Sequence, residues 1–404
     1  MTPKEEFNIL IRKKKGEEID EIVHETNFIY SWGDYSYDRE DKDIRTIIDF
    51  ARLFLECPSY PDLINEDEYY GLDWSKHSSS SANASTLAIF IVSLFLSSML
   101  DIIHSGLKRD YVVRNENLKA KVKGRVLHSY NIRKNIIPGY QERFFCAFQE
   151  YTEDIPINRL LKATLILARN LIDYQAKISD LFSDIKLIND YHSRINLCLS
   201  HMQKVGLEPN PYTAANVVSI PHGKLFKNYE KAGEFARLII QLNSTFYRSK
   251  DNDSKYTSPD FWIYLPTLFE HYIYGKMNIE NKRLYVQPKG VYGQRADFIL
   301  RSPDLVIDAK FKPRYLSTSP NLEDFRELSG YARDELFFPG KSIDAPCIIV
   351  YPITKLEETL HSNEIPDDIK SVFSPSEFNR LQPIPGMRSF YKVGILLPCV
   401  EQPF

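Results

Sequence analysis

The chain has 404 residues, 43% of them hydrophobic and 26% charged. Those fractions match an ordinary globular protein and exclude a disordered chain, a collagen and a disulfide scaffold. With 51 Lys and Arg against 54 Asp and Glu, any grip on nucleic acid has to come from a local patch or from a partner, not from overall charge. The length suits two or three domains. Aromatic residues reach 13%, with 25 Tyr and 24 Phe, which reads first as core packing. Cys57, Cys146, Cys198, Cys347 and Cys399 are scattered and odd in number, so reduced thiols are expected rather than a zinc site or disulfide framework. Residues 1–15 are charged and lack an apolar stretch, so no secretory signal is expected.

Residues 78–100 carry no charge. That stretch is long enough to span a bilayer, but its serines and the absence of a basic flank favour a buried helix and no membrane. Residues 106–134 are basic. Within them Lys119, Lys121, Lys123 and Arg125 alternate with small or apolar residues, a period of two that predicts a strand with one cationic face. Such a face is either a solvated sheet edge or a phosphate- or protein-contacting finger. Residues 156–207 have helical periodicity and read as one long helix or two packed ones. Another helix is expected near 230–243. The polar segment 248–259 is the best domain boundary.

Beyond it, residues 261–277 read as a helix with Glu270 near its middle. Strand-like runs follow at 283–287, 295–300 and 305–311, then a helix at 322–337 and a buried strand at 347–351. The second and third strands are joined by only four residues, which predicts a tight antiparallel hairpin. Paired positions in a hairpin sum to a constant, and that symmetry sets Asp297 opposite Asp308. Opposed side chains lie about 5 Å apart on one face, a spacing at which two carboxylates share one hard cation. Lys310, two residues beyond Asp308, falls on the same face. Asp-x-Lys alone is uninformative and recurs three times elsewhere in the chain. Here it sits in an apolar strand, where unpaired charges cost several kcal/mol. Pro303-Asp304 belongs to the turn. The pattern is that of a metal-dependent phosphodiesterase; a buried ion pair is the alternative.

These residues resemble the PD-(D/E)xK nuclease superfamily, and within it the McrC family, the nuclease subunit of McrBC-type modification-dependent restriction systems. The resemblance rests on Asp297 and Asp308-Ala309-Lys310 with Lys312, on the 265–273 helix that carries Glu270, and on an upstream block. That block comprises Gly106 to Tyr111, Glu116 and Leu118, Lys123-Gly-Arg125, Cys146, Asp154 and Asn158 to Leu161. The resemblance as a whole covers about 86–352. The family's usual Gln before the helix Tyr is here Glu327, four residues before Tyr331.

The resemblance implies an α+β chain. An N-terminal region (1–105) with the buried helix and a basic strand-plus-helix docking region (106–250) would precede a PD-(D/E)xK restriction-endonuclease-like α/β domain (257–404). It also implies a cytoplasmic bacterial or archaeal DNA endonuclease. One or two Mg²⁺ ions (Mn²⁺ being possible) would lie on Asp297, Asp308, the Ala309 carbonyl and Glu270, with Lys310 completing the catalytic set. Lys312, Arg295, Glu327 and Tyr331 are candidate DNA-binding or supporting residues. No phosphate-binding Gly-Lys-Ser/Thr loop is present, so this chain is not expected to be the nucleotide hydrolase. The resemblance implies a McrB-like AAA+ GTPase hexamer as partner, with Lys119, Lys121, Lys123 and Arg125 as candidate contacts. The alternatives are a stand-alone nuclease without a motor and a non-cleaving adaptor that activates the AAA+ partner.

Overall fold

The computed structural model describes residues 28–30, 49–56, 70–78, 81–178, 185–223, 226–249, 258–277, 284–301, 304–340, 345–353 and 382–398. The charged start, Cys57, Cys399, Lys282, Arg283, Ser302, Pro303 and most of the polar boundary segment lie outside the described residues. In chain order the first elements are β1 (Phe28–Tyr30), α1 (Phe50–Glu56), β2 (Tyr70–Ser78) and α2 (Ser81–Ser105). Next come β3 (Asp110–Lys119), β4 (Arg125–Val126), α3 (His128–Asn131) with a π-helical turn at Ile132–Ile136, and β5 (Arg143–Thr152). Four helices follow: α4 (Pro156–Ile178), α5 (Ile185–His201), α6 (Pro211–Val217) and α7 (Lys227–Ser249). The rest comprises β6 (Ser258–Tyr264), α8 (Leu265–Lys276), β7 (Leu284–Val286), β8 (Phe298–Leu300), β9 (Leu305–Ala309), α9 (Leu322–Ala332), β10 (Cys347–Ile353), β11 (Gln382–Pro383) and β12 (Phe390–Leu396). The fold is α+β.

The chain forms two compact units, each discontinuous. One comprises Met1–Ser93, Ala176–Leu187 and Arg248–Phe404; the other Leu94–Gln175 and Ile188–Tyr247. In the first unit, β1 and β2 both pair antiparallel with β6. The six-stranded sheet of that unit has the order β11-β12-β10-β9-β8-β7. Its centre is parallel, β9 with β10 and β10 with β12, while β7, β8 and β11 pair antiparallel. A parallel step cannot be made by a hairpin, and α9 fills the crossover from β9 to β10. Every residue of β9 and β10 is buried, which is why both read as apolar runs, interrupted in β9 by Asp308.

The uncharged stretch is the helix α2. Leu87, Ala88, Ile89, Phe90, Ile91 and Val92 are all buried, as a helix apolar on every side requires in water. Its buried hydroxyls are satisfied by the helix itself: Ser93 donates to the Ile89 carbonyl and Ser98 to that of Leu94. Phe90 packs edge-on against Phe54 and Tyr70. By length and composition α2 could cross a membrane, but 67% of the relevant window is buried in the protein.

In the second unit, β3 and β4 flank β5 on opposite edges. The expected cationic strand over 119–126 is a correction. β3 ends at Lys119, and residues 120–124 turn across the end of β5 into the short β4. Ala120 and Gly124 have positive φ, 55° and 69°. A Cβ at Gly124 would lie 2.4 Å from the Ala147 carbonyl oxygen, so the glycine breaks the alternation. Two packed helices, not one, occupy 156–207. The Asp154 and Asn158-Arg159 block forms a hub. Asp154 accepts from Arg114, Arg159 and the Gly206 amide. Asn158 donates to the carbonyls of Lys108 and Glu153 and accepts from the Tyr229 hydroxyl.

A second correction concerns 261–277. Its first part is strand β6, and the helix starts only at Leu265, with Pro266 in its first turn. Proline fits there because its missing N–H would be unpaired anyway. Likewise α9 ends at Ala332, and 333–338 are turn. Replacing Phe90 by Ala should destabilise its unit by about 3 kcal/mol. A lowered urea midpoint for the Phe90→Ala chain checks this; an unchanged midpoint means the α2 core contact carries little stability.

Candidate active site

The hairpin register is the one the sequence predicts: Phe298 faces Ile307, Ile299 faces Val306 and Leu300 faces Leu305. Asp297 and Asp308 therefore occupy the next opposed positions, at the mouth of the β8–β9 ladder. Asp297 Oδ2 accepts from the Ala309 amide at 2.8 Å. Asp308 is 1% exposed, and its Oδ2 faces the Lys310 side chain. That oxygen lies 3.0 Å from Lys310 Nζ as an ion pair. On the other side of β9, the Lys310 amide donates to the Val350 carbonyl of β10, fixing the backbone that carries the lysine.

Two helices complete the group. From α9, Glu327 Oε2 lies 3.1 Å from Lys310 Nζ. Glu327 Oε1 is 2.8 Å from the Tyr331 hydroxyl, which is also 2.7 Å from the Arg295 carbonyl. The i, i+4 spacing thus serves to hold Glu327 on the lysine. From α8, Glu270 Oε1 accepts from Gln287 Nε2 at 2.9 Å. Gln287 has a positive φ of 44°, and its amide donates to the Asp297 carbonyl. No sequence signal marks Gln287: a glutamine in this rare conformation is dictated by its tertiary contacts.

The other candidates divide. Lys312 Nζ is held by both oxygens of Asp324 and by the Tyr315 hydroxyl, and that hydroxyl also bonds Asp324. Nearby, Arg301 donates to the carbonyls of Phe337 and Leu336, which ties the β8–β9 hairpin to the turn after α9. Arg295 is exposed. Lys119, Lys121, Lys123 and Arg125 are exposed in the second unit and lie at the end of β3, in the turn and in β4. Lys123 also covers the Phe148 ring at 4.0 Å.

The electrostatics follow from burial. Burial, then repulsion from Glu270, raises Asp297 to about 7. Burial raises Glu270 to about 7 as well, against the Gln287 hydrogen bond and with added repulsion from Asp308. Asp308 is driven well above the carboxylate range by burial and then by Asp297. Burial works against the Lys310 ammonium, yet Asp308, Asp297 and Glu327 together outweigh it and raise its pKa. Four acids face one lysine, a site short of positive charge.

Among the described residues, no three His, Cys, Asp or Glu side chains form a ready-made metal cluster. The donor set suits a cation that keeps part of its water shell. Two opposed carboxylates and the neighbouring Ala309 carbonyl match the oxygen preference of Mg²⁺, which is usually held by one or two carboxylates plus waters.

The raised acids make stability fall with pH in the metal-free protein. Between about pH 4.5 and 7 the folded chain keeps protons on Glu270 and Asp297 that the unfolded chain has released, so the native state is favoured on the acid side of that window. The metal-free chain should lose thermal stability from pH 5 to 7.5, and Glu270→Gln should flatten that slope. Equal slopes in thermal melts of the two proteins would contradict the burial of Glu270.

Residues 71–325 match the family described as McrBC 5-methylcytosine restriction system component. That span includes Glu270, Asp297, Asp308 and Lys310. No curated protein matches the sequence. Among solved structures, one similar chain comes from a half-complex of a tetradecameric assembly of Thermococcus gammatolerans McrB AAA+ hexamers with bound McrC. Identity is 19% and the TM-score 0.33, over 77% of this chain and 62% of that one. Another comes from a cryo-EM structure of the Thermococcus gammatolerans McrBC complex, at 18% identity and a TM-score of 0.28, over 47% of each chain. Matched by its sequence over well more than half its length, the chain belongs to the McrBC 5-methylcytosine restriction system component family.

Proposed function

We propose that this chain is the DNA-cleaving subunit of a McrBC-type restriction complex, a Mg²⁺-dependent endonuclease of PD-(D/E)xK type that works with a McrB-like AAA+ GTPase in the cytoplasm. The observation that carries the reading is the opposition of Asp297 and Asp308 across the β8–β9 hairpin with Lys310 3.0 Å from Asp308. A structural ion pair needs one acid for one base. The additional acids, Asp297, Glu270 and Glu327, crowd that pair, and a divalent cation would let them ionise together.

One or two Mg²⁺ or Mn²⁺ ions would be held by Asp297, Asp308 and the Ala309 carbonyl, with Glu270 beside them. When bound, such an ion lowers the pKa of water and offsets charge on the scissile phosphate. Lys310, kept protonated by its carboxylate neighbours, would orient the attacking water and donate to the phosphate oxygens as charge builds. Glu327 and Tyr331 fix the lysine head group. Gln287 orients Glu270, whose pKa near 7 suits it to take up or release a proton at neutral pH. Arg295 is free to meet the DNA backbone, whereas Lys312 supports the site through Asp324.

The second unit is our candidate for docking on the AAA+ partner. Lys119, Lys121, Lys123 and Arg125 are exposed from the end of β3 through the turn into β4, and the neighbouring π-turn exposes Ile132 and Ile136. A cationic, apolar surface of this kind fits a protein partner with acidic character. Neither a motor-free nuclease nor a non-cleaving adaptor gains support from a specific observation.

Lys310→Ala should lower DNA cleavage by about 10²–10³-fold while stimulation of the partner's nucleotide hydrolysis persists; a Lys310→Ala protein that cuts as well as the original would refute the site. Conversely, Lys121→Glu with Lys123→Glu should reduce stimulation of the partner and leave Lys310 chemistry intact. Full stimulation by that double variant, measured as nucleotide hydrolysis in the reconstituted complex, would move the docking surface elsewhere.

A further inference from the structure

Between β7 and β8, just ahead of Asp297, the chain makes a closed turn. Lys289 and Arg295 pair as an antiparallel bridge. Inside it, the Gly290 amide donates to the Gln294 carbonyl and the Gly293 amide to that of Gly290. At the tip stands Tyr292, 93% exposed, more than any other large hydrophobic among the described residues. Val291 beside it is exposed too.

A connecting loop has no need of the framework beneath this one. Asp334, only 7% exposed, accepts from the Val291 amide at 2.9 Å and from Gln294 Nε2 at 2.6 Å. Gln294 Oε1 in turn accepts from the Tyr292 amide at 3.0 Å. Gly290 is required beside them, since a Cβ there would lie 2.3 Å from Asp334 Oδ2. Gly293 supplies the positive φ of 80° that closes the turn. A buried carboxylate and two glycines therefore fix the backbone under an aromatic ring that stands in water. Rigidity of that kind is useful when the ring binds something, because little freedom is then lost on binding.

The surroundings name the ligand class. Exposed Lys289 and Arg295 flank the tip, and Arg295 is two residues from Asp297. Five extended residues span at most about 18 Å, so Tyr292 reaches at most about five base-pair steps from the acids. We propose that the 289–295 turn is a DNA-contacting element of the nuclease site, with Tyr292 stacking on a base of the substrate and Lys289 and Arg295 taking the adjacent phosphates. Stacking on an aromatic ring is tolerant of sequence because every base offers a flat face, so this contact would add grip near the cut without adding base preference.

The proposal rests on the nuclease reading, and the test separates the two. DNA substituted with 5-iodouracil is photocrosslinked to the full chain with Ca²⁺ in place of Mg²⁺, and the crosslinked peptide is mapped by mass spectrometry. The expected crosslink is to Tyr292. Tyr292→Ala should weaken DNA binding about tenfold, with Tyr292→Phe and Tyr292→Trp retaining it. Under Mg²⁺ the Ala variant should show a raised KM at nearly unchanged kcat. A crosslink only at other residues, or Tyr292→Ala binding DNA as the original does, overturns the proposal. So does a Tyr292→Ala chain that loses a protein partner instead of DNA affinity. Failure of the nuclease reading appears separately, as undiminished cleavage by Lys310→Ala, since the crosslink needs no cutting.

Discussion

The opposition of two carboxylates at the mouth of one hairpin is the constraint to which the rest of the site answers. Asp297 and Asp308 are set there by the β8–β9 register, in surroundings too dry for both to ionise without help. Lys310 supplies one positive charge to the pair and is itself shared with Glu327. Each flanking helix then contributes one acid and is matched with one orienting group: Gln287 for Glu270, Tyr331 for Glu327. The parallel pairing of β9 with β10 keeps this arrangement at the centre of the sheet, where neither strand can shift without breaking buried ladder hydrogen bonds.

The same economy of polar contacts appears in the second unit, where it serves a different end. Asp154 and Asn158 gather β3, the end of β5, α4 and α7 by hydrogen bonds from Arg114, Arg159, Gly206 and Tyr229. A cluster of Asn117, Asn131 and Asn135 ties the π-helical turn to β3 and β5. Polar contacts thus hold the elements around this small sheet, while its strands carry exposed Tyr111, Val113 and Tyr151. Part of the high aromatic content therefore lies on the surface, as Tyr292 does in the first unit, and core packing is only part of its explanation.

The hairpin and its acids were legible because their information is local. A four-residue connection, alternation and a buried-strand composition fix the register without reference to the rest of the chain. The helix α2 was legible for a similar reason, since an uncharged stretch leaves few options. The 119–125 segment misled because lysines at every second position imitate a strand, while Gly124, placed against Ala147, turns the chain. At 261–277 the aromatic residues fit either a helix or strand β6, and pairing with β1 and β2, far away in sequence, decided for the strand. Gln287 and Asp334 could not be found by pattern at all, because each acts through a partner that only the folded chain brings near.

The central claim is that Asp297 and Asp308 share a divalent cation, and binding of Mn²⁺ followed by electron paramagnetic resonance tests it without any need for cleavage. The account predicts that the full chain binds Mn²⁺ at pH 8 in competition with Mg²⁺, and that Asp308→Asn and Asp297→Asn each abolish this binding in folded protein. Undiminished Mn²⁺ binding by both variants would contradict it.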